Sequence, residues 1–544
     1  MPRRLQQDQH AKKVAQTMAA ASAMAVPSAL GGGSAALLWE DLEQLLRGLP
    51  DKQRRAAQSL LCLAVGDAAG LPFEFRQEKR EQIEQCCDGY RQRPGPASQK
   101  QIDSCIRRSI ESRTSGRPAG TSFCRTFSDD TACTDLKMQA VAKIATLGRG
   151  ASRPEFFRQL MSEYICWASN ARGNLFQGTG GFTRSFLRPR KSQCRNVSQA
   201  GNEPTAEFLT YAESFFGGEL PNTWPSWGNG AVMSFAPQAV LMSAAGHEAI
   251  AGEVLAGADI LSSTHRHHTA QKGAQLLGDL LLQLYNSDIK DFAELLPACV
   301  HCEVWKELRE MAVHDNHGYI YPIRELEAVA RVGDCSAEDA DAFLHNLTGK
   351  HNLLREECYG CFGELLRVAS NFGEIEYIYA RNTKEPVKFS QRGLNSVIIA
   401  IWCVAGSRSM MDVLERLLYV GGDTDTIGAV AGQFVGPLLS AEEVCHYFKR
   451  FVALDGIETD GAEHLEVAAA SAKRFFYRSV HFASSNWAEL LLHRPLSDPI
   501  YEGLTDESGM RLKKLTTIAD PMSLKKQIGN RSNKKKEGQI LMCS

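Results

Sequence analysis

Long apolar runs are missing from this sequence of 544 residues. A helix that crosses a membrane needs about 18 or more consecutive apolar residues, and the longest apolar stretches here, at 398–405 and 427–440, are too short or too rich in glycine. A strong net charge is also missing, because 61 basic and 63 acidic residues leave a formal net charge of -2. We therefore expect neither a membrane protein nor direct binding of nucleic acid through a general positive field.

Two common cofactor frameworks are missing as well. The sixteen cysteines are scattered, and the CxxC pair of Cys358 and Cys361 has no second pair at zinc-binding spacing. The glycine loops at 178–181 and 228–230 lack the flanking strand and helix of a nucleotide-binding fingerprint. Many cysteines lie inside apolar runs, which is typical of small buried side chains in a reducing compartment. We therefore expect an intracellular protein, cytoplasmic or nuclear.

Composition divides the chain into a leader, a folded body and a tail. Residues 1–36 are low in complexity and end in glycines, which predicts a flexible leader, with a mitochondrial targeting segment as the alternative. Residues 37–497 form the helical body, interrupted at 77–125 by a polar insertion that we expect to be at least partly disordered. Residues 498–544 form a polar, basic tail, either a solvated segment or a nuclear address.

Within the body, apolar residues recur at three- and four-residue steps, the spacing of one helix face. Strand patterns are scarce, and the best of them is the short stretch 375–379. The composition and periodicity therefore predict a mostly α-helical body. Its clearest predicted helices cover 58–69, 156–168, 239–261, 274–285, 395–405 and 410–420.

Two acidic segments, FSDDT at 127–131 and GGDTDTIG at 421–428, each open a predicted helix. For either segment taken alone, capping of the helix start is the simpler explanation. A cap needs one acceptor, however, whereas each segment offers two carboxylates beside hydroxyl groups. Adjacent carboxylates repel each other unless a cation lies between them, and Mg²⁺ prefers such oxygen ligands. If the two segments converge, they can form a site for two metal ions.

Three glycines follow the second acidic segment at four-residue spacing, at Gly428, Gly432 and Gly436. They share one face of the helix, although each interior glycine costs about 1 kcal/mol in helix propensity. A face without side chains allows another helix or a ligand to approach closely. Core packing is sufficient to explain this pattern.

Five sequence blocks occur in an order that is characteristic of one family. They are GDAAGLPFEF at 66–75, FSDDT at 127–131, WGNGAVM at 227–233, STH at 263–265 and GGDTDTIGAVAGQFVGP at 421–437. The set resembles the ADP-ribosylglycohydrolase family, which includes the ADP-ribosyl-acceptor hydrolases and dinitrogenase-reductase-activating glycohydrolase. It covers about residues 58–439, and the last block is the most specific. The resemblance implies an all-α fold, an orthogonal multi-helix domain with a central binuclear metal cleft.

The resemblance also implies a set of site residues. It implies two Mg²⁺ ions held by positions that match Ser128, Asp129, Asp130, Asp423, Asp425 and Thr426. It places the ADP-ribose moiety against Gly228, Asn229, Gly230 and His265. The candidate catalytic carboxylates are Glu74, Asp130 and Asp425. One departure concerns the ligand side, because the family often continues the GNG block with Met-Arg and here Met233 is followed by Ser234.

The implied activity is magnesium-dependent hydrolysis of the ribosyl linkage in ADP-ribosylated proteins or related ADP-ribosyl compounds, which releases ADP-ribose. Such cleavage passes through an oxocarbenium-like transition state. Two alternatives stay open: a catalytically inactive ADP-ribose-binding or structural relative, and a two-metal phosphoesterase. The acceptor stays open too, since arginine, serine, poly(ADP-ribose) and small molecules share the same ADP-ribose half.

Overall fold

A computed structural model describes most of the helical body. The described residues are 38–74, 127–147, 153–170, 204, 206–217, 227–244, 264–313, 363, 366, 370, 374–380, 383–454 and 462–487. All of them belong to the compact unit Met1–Leu490. The predicted leader, the 77–125 insertion, the basic tail and the 178–181 glycine loop lie outside the described residues, so those expectations stay predictions.

Helices make up most of this part of the chain, which confirms the predicted all-α class. They are α1 (Trp39–Arg47), α2 (Asp51–Gly70), α3 (Asp129–Leu147), α4 (Arg153–Asn170), α5 (Ala206–Gly217), α6 (Ala236–Ala244), α7 (His268–Tyr285), α8 (Leu295–His301), α9 (Glu303–Val313), α10 (Gly393–Ala405), α11 (Met410–Val420), α12 (Thr424–Val435), α13 (Ala441–Phe451) and α14 (Ala462–Ser484). Short 3₁₀ turns follow or join them at Leu71–Phe73, Asn229–Ala231, Phe389–Gln391 and Gly436–Leu438. Among the described helices, none combines the length and apolar character needed to cross a membrane.

The described strands form one antiparallel hairpin, β1 (Glu374–Ala380) with β2 (Thr383–Lys388). Glu374 pairs with Lys388 at its open end, and the register shifts after Ile378. The strand predicted at 375–379 is therefore confirmed. The hairpin leads directly into the Phe389–Gln391 turn and α10. This turn contains Ser390, a residue of the site described below.

Helices α2 and α12 form the centre of the core. Every residue of α12 is buried, and so is every residue of α2 from Ala56 onwards. A helix with small or apolar residues on all sides is stable only when other helices surround it. Helices α10, α13 and α14 pack around this central pair.

The close approach of α2 and α12 depends on the glycine-lined face noted in the sequence. A Cβ atom on Gly432 would lie 2.0 Å from the carbonyl oxygen of Cys62, and one on Gly66 would lie 1.8 Å from that of Gly428. No side chain fits between backbones at this separation. The partner of the glycine face is therefore another helix and not a ligand. Because the two backbones touch, the polar residues at the ends of α2 and α12 are fixed relative to each other.

Candidate metal centre and ligand loop

A glycine turn sets the direction of the second acidic segment. Gly421 and Gly422 join α11 to α12 with φ of 69° and 78°. Residues other than glycine rarely adopt a positive φ of this size. The turn makes Asp423 the N-cap of α12 and places Asp425 in its first turn. The backbone N–H of Asp423 donates to the Ser390 hydroxyl at 3.1 Å. The turn and this hydrogen bond together fix where both carboxylates begin.

The end of α2 lies against the start of α12. Thr424 donates its hydroxyl to the carbonyl oxygen of Gly70 at 2.8 Å. The Leu71–Phe73 3₁₀ turn follows the end of α2 directly, and the half-buried Glu74 comes next. Glu74 is thereby brought beside the carboxylates of Asp423 and Asp425.

The first acidic segment is capped by a carboxylate from α2. Asp67, fully buried, accepts hydrogen bonds from the backbone N–H of Ser128 (2.9 Å) and of Thr131 (3.0 Å). It also accepts from the Thr131 hydroxyl at 2.6 Å. These N–H groups at the start of α3 have no partner within the helix, so Asp67 fulfils the role of an N-cap from a distant part of the chain. Ser128 is then free to donate its hydroxyl to Asp130 at 2.7 Å.

Replacing Asp67 by alanine is expected to lower the free energy of unfolding by about 3 kcal/mol, because three buried donors lose their acceptor. Urea unfolding in the presence of magnesium measures this loss. Ser440→Ala is the matched control, since Ser440 is an exposed N-cap in a capping box on α13 and its loss costs about 1 kcal/mol. Equal losses in the two variants would show that Asp67 is an ordinary cap.

Five carboxylates meet at the starts of α3 and α12 and the end of α2. In each of two groups, one oxygen atom from every member lies within 4.8 Å of the others. The first group contains Asp67, Asp130 and Asp425, and the second contains Glu74, Asp423 and Asp425. Asp425 belongs to both groups. The two acidic segments, far apart in the sequence, therefore lie side by side.

The environment of these carboxylates opposes their ionisation. Burial raises the pKa of Asp130 well above its ordinary value, and the charges of Asp67, Asp425 and Asp129 raise it further. Burial and then Asp425 likewise raise the pKa of Asp67, although hydrogen bonds from Thr131 and Ser128 counteract part of the effect. Burial, Asp425 and Glu74 raise that of Asp423. A cation between the groups would offset this repulsion.

The donor atoms fit a hard divalent cation. The Oδ1 atom of Asp130 is buried and has no hydrogen-bond partner among the described residues, and a buried carboxylate oxygen in this state needs a proton or a cation. The surrounding candidate ligands are carboxylate and hydroxyl oxygens. Magnesium prefers such oxygen ligands, whereas zinc is more often bound by histidine and cysteine. Because Asp425 belongs to both groups, it could ligate a cation held by either of them.

The remaining predicted metal ligands lie close to these groups. Ser128 contacts the first group through its bond to Asp130. The backbone N–H of Thr426 donates to Asp425 at 2.9 Å, and the Thr426 side chain is buried. Asp129 is buried at the first residue of α3 but belongs to neither group. Metal binding by these three residues stays a prediction.

The GNG loop is attached to the second carboxylate group. The backbone N–H of Gly393 donates to the Trp227 carbonyl, and Gly228 forms a β-bridge with Arg392. Asn229 donates its side-chain amide to Asp423 at 2.7 Å and to the Ser390 carbonyl at 3.4 Å. Asn229, a predicted ligand contact, therefore also holds a carboxylate in place.

His265 covers the middle of the same loop. A Cβ on Gly230 would lie 2.3 Å from the Cε1 atom of the His265 ring, so only glycine permits the ring to lie this close. The Nδ1 atom of His265 lies 2.9 Å from the Thr264 hydroxyl. Burial, with a smaller effect of Lys137, lowers the pKa of His265 to about 3. The imidazole is therefore neutral at physiological pH.

A family model described as ADP-ribosylglycohydrolase matches residues 48–445. The chain belongs to the ADP-ribosylglycohydrolase family. The matched range includes both acidic helix starts, Glu74 and the GNG loop, so the family assignment and the geometry concern the same part of the molecule. The family consists of metal-dependent glycohydrolases, which supports a hydrolase activity for this member.

Other comparisons add less. Among solved structures, the chain is similar to one described as an ADP-ribosylglycohydrolase-related protein complex, with 16% identity and a TM-score of 0.35. The match covers 79% of this chain and 100% of that chain. A TM-score this low supports no conclusion about the site. No curated protein matches the sequence.

Two residues at the centre of the site, Asp67 and Ser390, are not among the site residues predicted from the sequence. Asp67 is an acidic residue within an apolar predicted helix and inside the 66–75 block, so the sequence contained a pattern from which its role could have been predicted. Ser390 has no such pattern, because its contact with Asp423 joins residues 33 positions apart that no motif connects. At the departure noted after Met233, the carbonyl oxygen of Ser234 accepts a hydrogen bond from Lys137 at 3.0 Å.

Proposed function

We propose that this protein hydrolyses the bond between ADP-ribose and its acceptor, a modified protein or a small ADP-ribosyl compound, with two magnesium ions as cofactors. The observation that carries the proposal is the pair of buried carboxylate groups that share Asp425. Crowded, buried carboxylates of this kind destabilise a fold unless a cation joins them. Membership of a glycohydrolase family directs the proposal to a glycosidic bond.

The two groups divide the proposed metal ligands. Asp130 and Asp425, with the hydroxyl of Ser128, would hold one ion, while Asp423 and Asp425, with the hydroxyl of Thr426, would hold the other. Asp129, at the first residue of α3, is a further predicted ligand of the first ion. Magnesium bound there supplies Lewis-acid polarisation and orients the ribose hydroxyl groups for reaction. The protein contributes the fixed spacing of the carboxylates, which the glycine contact of α2 with α12 maintains.

Among the three candidate bases, we assign the proton acceptor to Glu74. Asp130 and Asp425 are almost completely buried, whereas Glu74 is half-buried and so can reach water. The oxygen of the attacking water bonds to the anomeric carbon as the bond to the acceptor breaks, and the water proton passes to Glu74. The acceptor atom leaves with the electron pair of the broken bond and takes up a proton from solvent water.

The GNG loop and His265 are the proposed contacts of the ADP-ribose diphosphate. Backbone N–H groups in a glycine loop can bind phosphate oxygens. Neutral His265, held against Gly230, would contact the diphosphate through its ring and not through a positive charge. Because Asn229 joins this loop to Asp423, the diphosphate and the ribose would be held in a fixed relation.

Incubation with serine-linked and arginine-linked ADP-ribosylated peptides tests the proposal. With magnesium present, free ADP-ribose is expected from at least one substrate, and chromatography with authentic ADP-ribose as the standard detects it. EDTA is expected to stop the release and added magnesium to restore it, because the paired carboxylates need a cation.

Each other outcome contradicts part of the proposal. Binding of ADP-ribose without release from either peptide or from a small ADP-ribosyl compound indicates an inactive binding protein. Release of phosphate indicates a phosphoesterase. Release that EDTA does not affect excludes the metal-dependent mechanism.

A further inference from the structure

Two long polar side chains approach the GNG loop from the two helices that carry the acidic segments. Lys137 lies on α3 and Gln433 on α12, each about two helical turns beyond Asp130 and Asp425 respectively. Both side chains are almost completely buried. Lys137 lies outside the five sequence blocks, and Gln433 lies inside the 421–437 block without a role assigned to it there.

These side chains bind three consecutive carbonyl groups. Gln433 donates its side-chain amide to the carbonyl oxygens of Val232 (3.0 Å) and Met233 (3.2 Å). Lys137 donates its ammonium group to that of Ser234 at 3.0 Å. The other end of the loop is bound through Asn229 to Asp423. The loop is therefore attached to α12 at both ends and to α3 at one.

Lys137 is an unfavourable residue for an interior position if stability alone is considered. Burial lowers the pKa of its ammonium group from 10.5 to about 7, which shows how strongly the site opposes the charge. A methionine of similar length would fill the same space without the desolvation penalty. The same holds for Gln433, because a leucine of similar volume would fill its position without burying a polar group. The hydrogen bonds that both side chains donate to the loop explain why polar residues occupy these two buried positions.

We propose that Lys137 and Gln433 are positioning residues that hold the 232–234 carbonyl groups, and with them the ligand contacts at 228–230, at a fixed distance from both carboxylate groups. The inference rests on the proposed function for its consequence, which is the affinity for ADP-ribose. Its structural part, an anchored loop, holds with or without a ligand. Loss of either anchor would let the loop move away from the carboxylates.

Lys137→Met tests the anchor in three measurements. Hydrogen–deuterium exchange of peptides that cover 228–235 is expected to quicken in the ligand-free full-length protein, because one carbonyl has lost its donor. The Kd for ADP-ribose with magnesium, measured by titration calorimetry, is expected to rise about tenfold, the effect of one charge-assisted hydrogen bond. KM is expected to rise more than kcat falls, since the carboxylates stay in place.

The melting temperature separates this role from a purely structural one. At pH 6–7, Lys137→Met is expected to melt at or above the temperature of the unmodified protein, because a buried cation has been removed. Between pH 7 and 10.5 the unfolded chain binds more protons at Lys137 than the folded protein does, so the unmodified protein gains relative stability as pH rises. The advantage of the variant should therefore shrink by pH 9–10. Among the described residues, Cys133 and His265 are the titratable groups that interact with the charge of Lys137.

Two further variants complete the experiment. Lys306→Met removes an exposed lysine on α9 that pairs with Glu303, and it should change neither exchange nor Kd. Gln433→Leu should quicken exchange in the same peptides as Lys137→Met, and the double variant should add less than the sum of the two because both act on one loop.

The outcomes distinguish the anchor from the proposed function. Unchanged exchange in both Lys137→Met and Gln433→Leu overturns the inference, whatever the ligand. A lower melting temperature with an unchanged Kd also overturns it, because the residues would then serve the core alone. If the unmodified protein fails to bind ADP-ribose, the proposed function is wrong, while exchange still decides the anchor.

Discussion

Asp425→Asn is expected to reduce turnover about a thousandfold and to abolish the rise in melting temperature that magnesium gives the unmodified protein. Asp425 is the one carboxylate that belongs to both groups, so its loss weakens both proposed metal positions together. Metal-dependent stabilisation of a transition state amounts to several kcal/mol, and about 4 kcal/mol corresponds to that loss in rate. Asparagine keeps the size of the side chain and an acceptor for the Thr426 N–H, so the fold should persist.

The same variant has an opposite expected effect when metal is absent. In EDTA, Asp425→Asn should melt above the unmodified protein, because one of five crowded carboxylates has become neutral and the repulsion on Asp130 and Asp423 falls. Thermal unfolding with EDTA and with magnesium measures the difference in melting temperature between the variant and the unmodified protein in each condition. Asp412→Ala is the matched control, since Asp412 is a half-exposed residue in the first turn of neighbouring α11. It should leave activity and the magnesium response unchanged.

Two results would contradict this account of Asp425. Retained activity in Asp425→Asn removes the shared-carboxylate mechanism. A magnesium response equal to that of the unmodified protein shows that the ions bind without Asp425, even if turnover falls.

Gly432→Ala is expected to lower the free energy of unfolding by about 3 kcal/mol or to prevent folding. In an isolated helix this change would be favourable by about 1 kcal/mol. Here the new Cβ would lie 2.0 Å from the carbonyl oxygen of Cys62, a backbone atom that cannot rotate away. Helices α2 and α12 would have to separate, and the carboxylates at their ends would move with them. Urea unfolding measures the loss of stability.

The control for this prediction is another glycine in the interior of a helix. A Cβ on Gly278 in α7 would meet side-chain atoms of Phe235 and Met242 at 3.1–3.4 Å. Gly278→Ala should therefore change stability by less than about 1 kcal/mol, because these side chains can adjust and alanine favours the helix. Comparable losses in the two variants would show that the backbone contact of α2 and α12 does not determine the effect.

The helices could be predicted from the sequence because the patterns that indicate a helix involve residues close together in the chain. Periodic apolar residues predicted 410–420 and 395–405, and the structure has helices at Met410–Val420 and Gly393–Ala405. The paired acids at 127–131 and 421–428 marked two helix starts, and α3 and α12 begin there. Spacing, capping and helix propensity act over a few residues, so a single sequence contains them.

By itself, the sequence determined the helical class, the two acidic helix starts, and the glycine face that lets two backbones touch. Only the tertiary structure decided that Asp67 caps α3 across 61 positions, that Ser390 holds Asp423, and that Lys137 reaches Ser234 across 97 positions. The physical reason is the range of the interactions. A cap or a period depends on neighbours in the chain, whereas a buried hydrogen bond between distant residues exists only after the helices have packed.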